Sequence, residues 1–456
     1  MNKTIPNIIL CVCLGLGSFA CSGKRNSPAA DSTPAQQNES PQADTSAQEL
    51  EENQVPDAPD APDAPDAPET PESADDSEPN APVAAAASAS GNIADIISNA
   101  QDLADNQHWD AALRLLLEVQ YNNPASDELR SAYRDVLDKH PQLHAEPRQL
   151  VVDQDITHIK RIGGGSSLVY KLLKNKEIVA AFKPFQKRYQ SNYRAEIAAY
   201  RLCPLIRCGF DIPTNLPVYF DFKAFSGLYA RLSSNPKEEF TEIIPTRLPD
   251  DSFRVDGTYK DWIPDFADFP IEFTSIWRPW LNPGVSRDEL NTPLSEILPT
   301  IAKQHKGGTK FADKLSPHIQ NTTKYALARQ ISNLLVFDFL INNWDRFSGA
   351  PALYGVNCQI ANGRFMSIDN GAGFPKTPSP KPDKHLHEIS RFSRITYNAI
   401  QSLEQEKDKI NDYLFPNPSD MERERLETFW KQREIYLNYV QKCIEQNGEA
   451  ETFFFE

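Results

Sequence analysis

Asp345 and Asp369 stand about two dozen residues apart, each inside an apolar frame. The first lies in Asp338-Phe339-Leu340-Ile341-Asn342-Asn343-Trp344-Asp345-Arg346-Phe347 and the second in Ser367-Ile368-Asp369-Asn370-Gly371-Ala372-Gly373-Phe374. Two such acids can share the work of phosphoryl transfer. One carboxylate orients or deprotonates an acceptor hydroxyl, and the other holds the divalent metal that neutralises charge on the moving phosphate. Singly, each has a plainer explanation. Asn343, Asp345 and Arg346 can cap the end of an apolar helix, and Asp-Asn-Gly is a routine hairpin turn.

Three further features precede the acids. Gly163-Gly164-Gly165-Ser166-Ser167 separates two strand-like runs, where backbone amides can approach phosphate oxygens without side-chain interference. A glycine-rich hairpin turn reads the same way. Lys183, in Ala181-Phe182-Lys183-Pro184, occupies a strand, where an ammonium is costly unless anions face it. Glu196, in Arg194-Ala195-Glu196-Ile197-Ala198-Ala199-Tyr200, is the natural carboxylate for it. A strand-edge lysine and a solvent-facing glutamate are the ordinary alternatives.

The elements that must position these residues follow from periodicity. Ile156 to Ile162, Leu168 to Leu173 and Ile178 to Pro184 read as strands around the glycine loop and a turn at Lys174-Asn175-Lys176-Glu177. Arg194 to Leu202 reads as a helix and Leu216 to Phe222 as another strand. Ser226 to Ser316 carries scattered Pro and Trp and no clear period. Tyr325 to Asn343 is a helix with Leu327, Ile331, Leu334, Leu335, Phe337 and Leu340 buried by spacing, and helical stretches recur around Ile395 to Glu404 and Glu422 to Gln446. Upstream, Ile93 to about His144 has helical periodicity, and Trp109-Asp110-Ala111-Ala112-Leu113 with Asn123-Pro124 resembles one tetratricopeptide-type unit. A single unit cannot bury its apolar face alone, so this hairpin is expected to dock on the next domain or on a partner.

The order of glycine loop, strand lysine, helix glutamate, Asp345 and Asp369 resembles the secreted kinases of the animal secretory pathway: the Golgi casein kinase, xylose kinase and four-jointed family. More distantly it is similar to the HipA and phosphatidylinositol kinase group. The resemblance spans roughly residues 150 to 440. It implies an α+β, two-lobed protein-kinase-like domain over 147–446, with an N-lobe at about 147–225, an insertion at about 226–316 and a C-lobe at about 317–446. It also implies that Gly163, Gly164, Gly165, Ser166 and Ser167 cover the phosphates of ATP bound with Mg²⁺ or Mn²⁺, and that Lys183 contacts them. Glu196 would align that lysine or help bind metal, Asp345 would be the catalytic acid/base and Asp369 the metal ligand. Asp338 fits a role in bracing the catalytic loop. Two positions depart from the pattern: Phe347 replaces the histidine that usually follows Asp-Arg, and Ala350 stands where an asparagine is usual.

The remaining chain speaks of address. Ile5 to Ala20 is a short apolar run behind Lys3, too short to span a bilayer comfortably, and ends in Ser18-Phe19-Ala20-Cys21. It resembles a bacterial lipoprotein signal over 1–20 with lipidation at Cys21, and Ser22 favours the outer membrane by the same resemblance. Residues 21–91 are rich in Pro, Ala and Asp, and their steady like charge describes an extended, disordered tether ahead of the helical hairpin at 92–146. The net charge is −16, but fifteen acidic residues lie between Asn26 and Gly91 with no Lys or Arg among them. The rest is near neutrality, which argues against nucleic acid as the ligand. Cys203, Cys208, Cys358 and Cys443 allow three pairings, among them Cys203 with Cys208 and Cys358 with Cys443, or they are buried thiols.

The reading that joins these features is an exported, lipid-anchored phosphotransferase acting on a protein or glycan hydroxyl. Because the bacterial periplasm is not expected to hold a useful ATP pool, a pseudokinase acting as a binding module stays open. So does transfer of AMP in place of phosphate.

Overall fold

A computed structural model describes residues 92–455 except 164–166, 189, 233–236, 348–354 and 356. All of these belong to one compact unit. The expected leader, Cys21 and the tether lie outside the described residues, as do Gly164, Gly165, Ser166 and Ala350.

The chain opens with three helices, α1 (Ile93–Asp105), α2 (Trp109–Asn122) and α3 (Asp127–Lys139), so the expected hairpin is a three-helix unit. Seven strands follow in one sheet: β1 (Arg148–Gln149), β2 (His158–Arg161), β3 (Tyr170–Lys174), β4 (Glu177–Pro184), β5 (Asn215–Asp221), β6 (Thr246–Arg247) and β7 (Phe253–Asp261). They are interrupted by α4 (Tyr193–Leu205), α5 (Phe222–Ala230) and the short α6 (Lys237–Phe240). The sheet order is β1-β5-β7-β4-β3-β2, with β6 on β7. A second, three-stranded sheet joins β8 (Ala267–Asp268), β9 (Cys358–Ala361) and β10 (Arg364–Ser367) in the order β10-β9-β8. Helices complete the chain: α7 (Thr274–Trp277), α8 (Arg287–Leu290), α9 (Leu298–Gln304), α10 (Gly308–Ile319), α11 (Lys324–Leu340), α12 (Pro380–Leu386), α13 (Arg394–Ser402), α14 (Lys407–Leu414), α15 (Asp420–Asn447) and α16 (Glu449–Thr452). No helix among the described residues is long and apolar enough to cross a membrane.

This is the α+β, two-lobed organisation that the sequence led us to expect, with corrected boundaries. The stretch 226–316 is not a separate insertion. Its strand β7 lies in the middle of the large sheet, between β5 and β4, so the sheet lobe reaches at least Asp261. The expected end at 446 is also too early, because Phe453 and Phe455 are buried in the helical core and Phe392 N–H donates to the Thr452 carbonyl.

Two hydrophobic cores result. Phe182, Phe220 and Phe225 centre the sheet lobe, with Phe182 and Phe220 ring centroids 5.1 Å apart in an edge-to-face pair. The larger core is shared by α1–α3, α4 and the helical lobe. At its centre α11 is buried on nearly every side, as its apolar composition requires. The N-terminal helices therefore dock on the helical lobe. Tyr133 Oη donates to the Pro204 carbonyl at 2.9 Å, and Glu118 on α2 accepts from Arg329 on α11 and Arg364 on β10, each at 2.7 Å.

Cys203 and Cys208 form a disulfide at the end of α4, whereas Cys358 and Cys443 are separate buried thiols. The second expected pairing is thus absent. Cys358 sits at the start of β9 and Cys443 near the end of α15, in different parts of the helical core.

Candidate active site

Strand alternation delivers the central lysine. Phe182 points into the sheet-lobe core, so its neighbour Lys183 must point to the opposite face, toward α4. There its side chain is 0 % exposed and donates to Glu196 Oε1 at 2.7 Å and to Asp369 Oδ1. Burial disfavours the ammonium, but the carboxylates of Asp369 and Glu196 outweigh that cost and hold its pKa above the usual lysine range.

Glu196 lies in the first turn of α4, where the helix's unpaired N–H groups favour a negative charge. Asn192 caps that helix by accepting from Arg194 N–H at 3.1 Å. The Glu196 side chain is only 1 % exposed and receives three donors: Lys183 on Oε1, and Lys260 Nζ at 2.9 Å and Asn370 N–H at 3.0 Å on Oε2. Burial raises its pKa, yet the two lysines prevail and hold it well below the usual carboxylate range. Both oxygens face protein donors, so in this geometry Glu196 is a lysine-aligning group and not an outward-facing metal ligand.

Asp369 follows β10 with φ 54° and ψ 51°, a left-handed conformation costing a non-glycine residue about 1 kcal/mol. The turn continues through Asn370-Gly371-Ala372. A Cβ at Gly371 would stand 2.8 Å from Lys183 Nζ and 3.2 Å from Glu196 Oε1, so a side chain there would displace the lysine tip. The Asp369 side chain is 40 % exposed, so one end of the buried lysine cluster opens to solvent through this carboxylate.

Asp345 is held by the loop that leaves α11. Its N–H donates to Asn343 Oδ1 at 3.3 Å, and Asn357 Nδ2 donates to its carbonyl at 3.1 Å and lies 3.5 Å from its Oδ2. Arg346, fully buried, ties this loop to the Asp369 turn. Its Nε donates to Asp338 Oδ2 at 2.9 Å, Nη1 to the Ile368 carbonyl at 3.0 Å and Nη2 to Asn370 Oδ1 at 2.8 Å. Asp338 thus braces the loop through Arg346 across one helical end. Phe347, in place of histidine, stacks on the His385 ring at 3.9 Å.

The structure therefore brings Lys183, Glu196 and Asp369 into direct contact and links Asp345 to Asp369 through Arg346 and Asn370. Of the glycine loop, Gly163 faces open space, and Ser167 is buried before β3. Three contributors escaped sequence reasoning: Lys260, Asn370 and Asn357. Lys260 was hidden in the stretch without a clear period, and only the β4–β7 register reveals it.

Among the described residues no three His, Cys, Asp or Glu side chains gather as a metal cluster. The donor chemistry nevertheless fits a hard divalent cation bound with a nucleotide, since Mg²⁺ is ordinarily held by one or two carboxylates and completed by phosphates and water. Asp369, 40 % exposed beside Lys183, is the carboxylate that would face it.

No family model matches the chain, and no curated protein matches it. Among solved structures it is similar to a crystal structure of the Golgi casein kinase with Mn/ADP bound, at 11% identity and a TM-score of 0.40, and to another crystal structure of the Golgi casein kinase, at 12% and 0.41. Each comparison covers 70% of this chain and 78% of the other.

Proposed function

We propose that this chain is a kinase-like phosphotransferase that moves the γ-phosphate of ATP, with Mg²⁺ or Mn²⁺, to a hydroxyl of a protein or glycan. The observation that carries this reading is Lys183: an ammonium fully buried between Glu196 and Asp369, with the second carboxylate open to solvent. A lysine held this way is fixed in position but able to exchange one anionic partner for another, which suits a phosphate oxygen.

Bound metal–nucleotide would supply the transferable phosphoryl group and neutralise its charge. The chain's own residues do the rest. Lys183 orients the phosphates, and Glu196 keeps Lys183 in line. Asp369 offers the carboxylate for the cation. Asp345 accepts the acceptor's hydroxyl proton at its carboxylate, in a loop whose position is set by Arg346 and Asp338. Catalysis on this account is positioning and electrostatics, with no covalent intermediate on the protein.

The address is part of the proposal: an exported lipoprotein tethered to the membrane through Cys21, with no nucleic-acid ligand. Intact mass of the membrane-extracted chain checks it. A diacylglyceryl-modified Cys21 is expected, and an unmodified mature chain refutes the anchor.

The enzymatic test uses purified protein, Mn²⁺ and γ-labelled ATP against a panel of proteins and glycans, beside Asp369→Ala. Equal label transfer by both proteins would sink the assignment. Product masses separate phosphate from AMP transfer, and a melting temperature unmoved by any nucleotide, with or without metal, would favour a binding module.

A further inference from the structure

Among the described residues, Lys260 is a cation of the site that the proposed reaction has not used. In the β4–β7 register Lys260 pairs with Ala181 and Thr258 with Lys183. Residues two apart share a sheet face, so Lys183 and Lys260 project from neighbouring strands toward the same side. Tyr259, between Thr258 and Lys260 on β7, packs against the sheet-lobe core on the other face, which fixes that orientation. Both ammonium groups converge on Glu196, one on each carboxylate oxygen, at 2.7 and 2.9 Å. The Lys260 side chain is 14 % exposed, so it is a nearly buried charge committed to one buried partner.

This arrangement has two consequences for the site. First, Glu196 cannot be released by Lys183 into an unpaired state. When Lys183 turns from Asp369 toward a phosphate oxygen, Glu196 still faces Lys260 and the Asn370 N–H. An unpaired buried carboxylate would cost several kcal/mol, and Lys260 removes that cost from nucleotide binding. Second, a glutamate only 1 % exposed, with protein donors on both oxygens, presents no open face to a cation in this geometry.

We propose that Lys260 is a positioning residue that keeps Glu196 paired and turned inward, so that the site takes a single divalent cation, on Asp369, with Lys260 supplying the charge a second cation would bring. This inference rests on the phosphotransferase reading of the site.

The test is the number of Mn²⁺ ions bound per chain at saturating ADP, counted by equilibrium dialysis and by electron paramagnetic resonance. One Mn²⁺ without the spin coupling of a metal pair is expected. Two Mn²⁺ per chain with ADP bound overturns the inference while leaving the reading of the site intact. No binding of ADP or Mn²⁺ at all overturns both. Lys260→Met keeps the aliphatic stem and removes the charge, and Lys260→Arg restores a cation. ADP affinity is expected to fall about tenfold or more in the Met variant, the effect of losing one charge-assisted hydrogen bond, and to recover in the Arg variant. Unchanged affinity in a folded Lys260→Met protein, or equal loss in Met and Arg variants that melt like the parent, overturns the role given to Lys260.

Discussion

Glu118 on α2 and Arg364 at the start of β10 meet at 2.7 Å although 246 residues separate them in the chain. The same carboxylate reaches Arg329 on α11 at 2.7 Å. One residue of the N-terminal helices therefore grips both the strand that leads to Asp369 and the helix that leads to Asp345. The helical unit is part of the scaffold of the site.

Replacing Glu118 with Gln is expected to destabilise the protein by about 2 kcal/mol, less than the 3–5 of a fully buried pair because a third of the side chain reaches solvent. Burial opposes ionisation of Glu118, but Arg329 and Arg364 outweigh it and hold its pKa below the usual range. A lowered carboxylate pKa contributes stability that is present above the unfolded value, near 4.3, and is lost as pH falls through the folded one. Urea midpoints at pH 7 and pH 4 check both claims. The gap between parent and Glu118→Gln narrows at the lower pH.

Asp345→Asn is expected to lower kcat for label transfer by about 10²- to 10⁴-fold with little change in KM for ATP, the loss typical of a general base. Asp369→Asn should instead weaken Mn²⁺-dependent nucleotide binding, read as a lost thermal shift. Because Asn tolerates the left-handed backbone found at Asp369, this variant separates charge from conformation. Equal effects of the two variants on KM would contradict the division of roles.

Much of this site was legible because charge interrupted apolar frames. Lys183, Glu196, Asp345 and Asp369 each break a run that has a helix or strand period, so their types stood out. Lys260 did not. Its strand, Phe253–Asp261, lacks alternation because its polar groups are satisfied inside the fold: Thr258 Oγ1 donates to Asn215 Oδ1 at 3.3 Å and Arg254 pairs with Asp256 at 2.9 Å. A strand whose polar residues find internal partners carries no hydrophobic signature, and the stretch around it reads as irregular. The bridge from Glu118 was equally silent, since nothing local to α2 or β10 reports a contact so distant in sequence. Of Cys203, Cys208, Cys358 and Cys443, spacing could suggest the pair five residues apart, but it carried no information on Cys358 and Cys443.

Gly371→Ala tests the tightness of the turn. The added Cβ meets Lys183 Nζ at 2.8 Å, and that ammonium cannot swing away without leaving Glu196 or Asp369. Nucleotide affinity should fall by about tenfold or more, while the fold survives because the lysine tip can shift at the open end of the cluster. Thermal shift with ADP and Mn²⁺ measures the first effect and the melting temperature without ligand the second.

The cysteines give a prediction independent of catalysis. Cys203 and Cys208 close a short loop at the end of α4, and reducing them should cost about 2 kcal/mol on the chain-entropy account. Cys358 is fully buried, and burial pushes its thiol and that of Cys443 upward, away from the reactive thiolate. Iodoacetamide should therefore leave Cys358 and Cys443 unmodified in the native protein and label both in urea, with mass spectrometry reporting the sites. Native labelling at either position would contradict their placement.

Glu272 is expected to make the stability of the protein depend on pH near neutrality. Glu272 follows β8, and its carboxylate accepts the Gly355 N–H at 3.0 Å. Burial pushes its pKa up to about 7, partly opposed by its own N–H, by that of Gly355 and by the nearby Arg346 charge, while Asp268 adds a like charge. A folded pKa raised above the unfolded value, near 4.3, means that the folded state binds the extra proton between the two. The stabilisation is therefore complete below the unfolded value and is lost as pH rises through about 7. The urea midpoint should fall from pH 5 to pH 8 in the parent protein. Glu272→Gln, which stays neutral and can still accept from Gly355, should flatten that fall, and an unchanged slope in the variant would assign the pH dependence to another group.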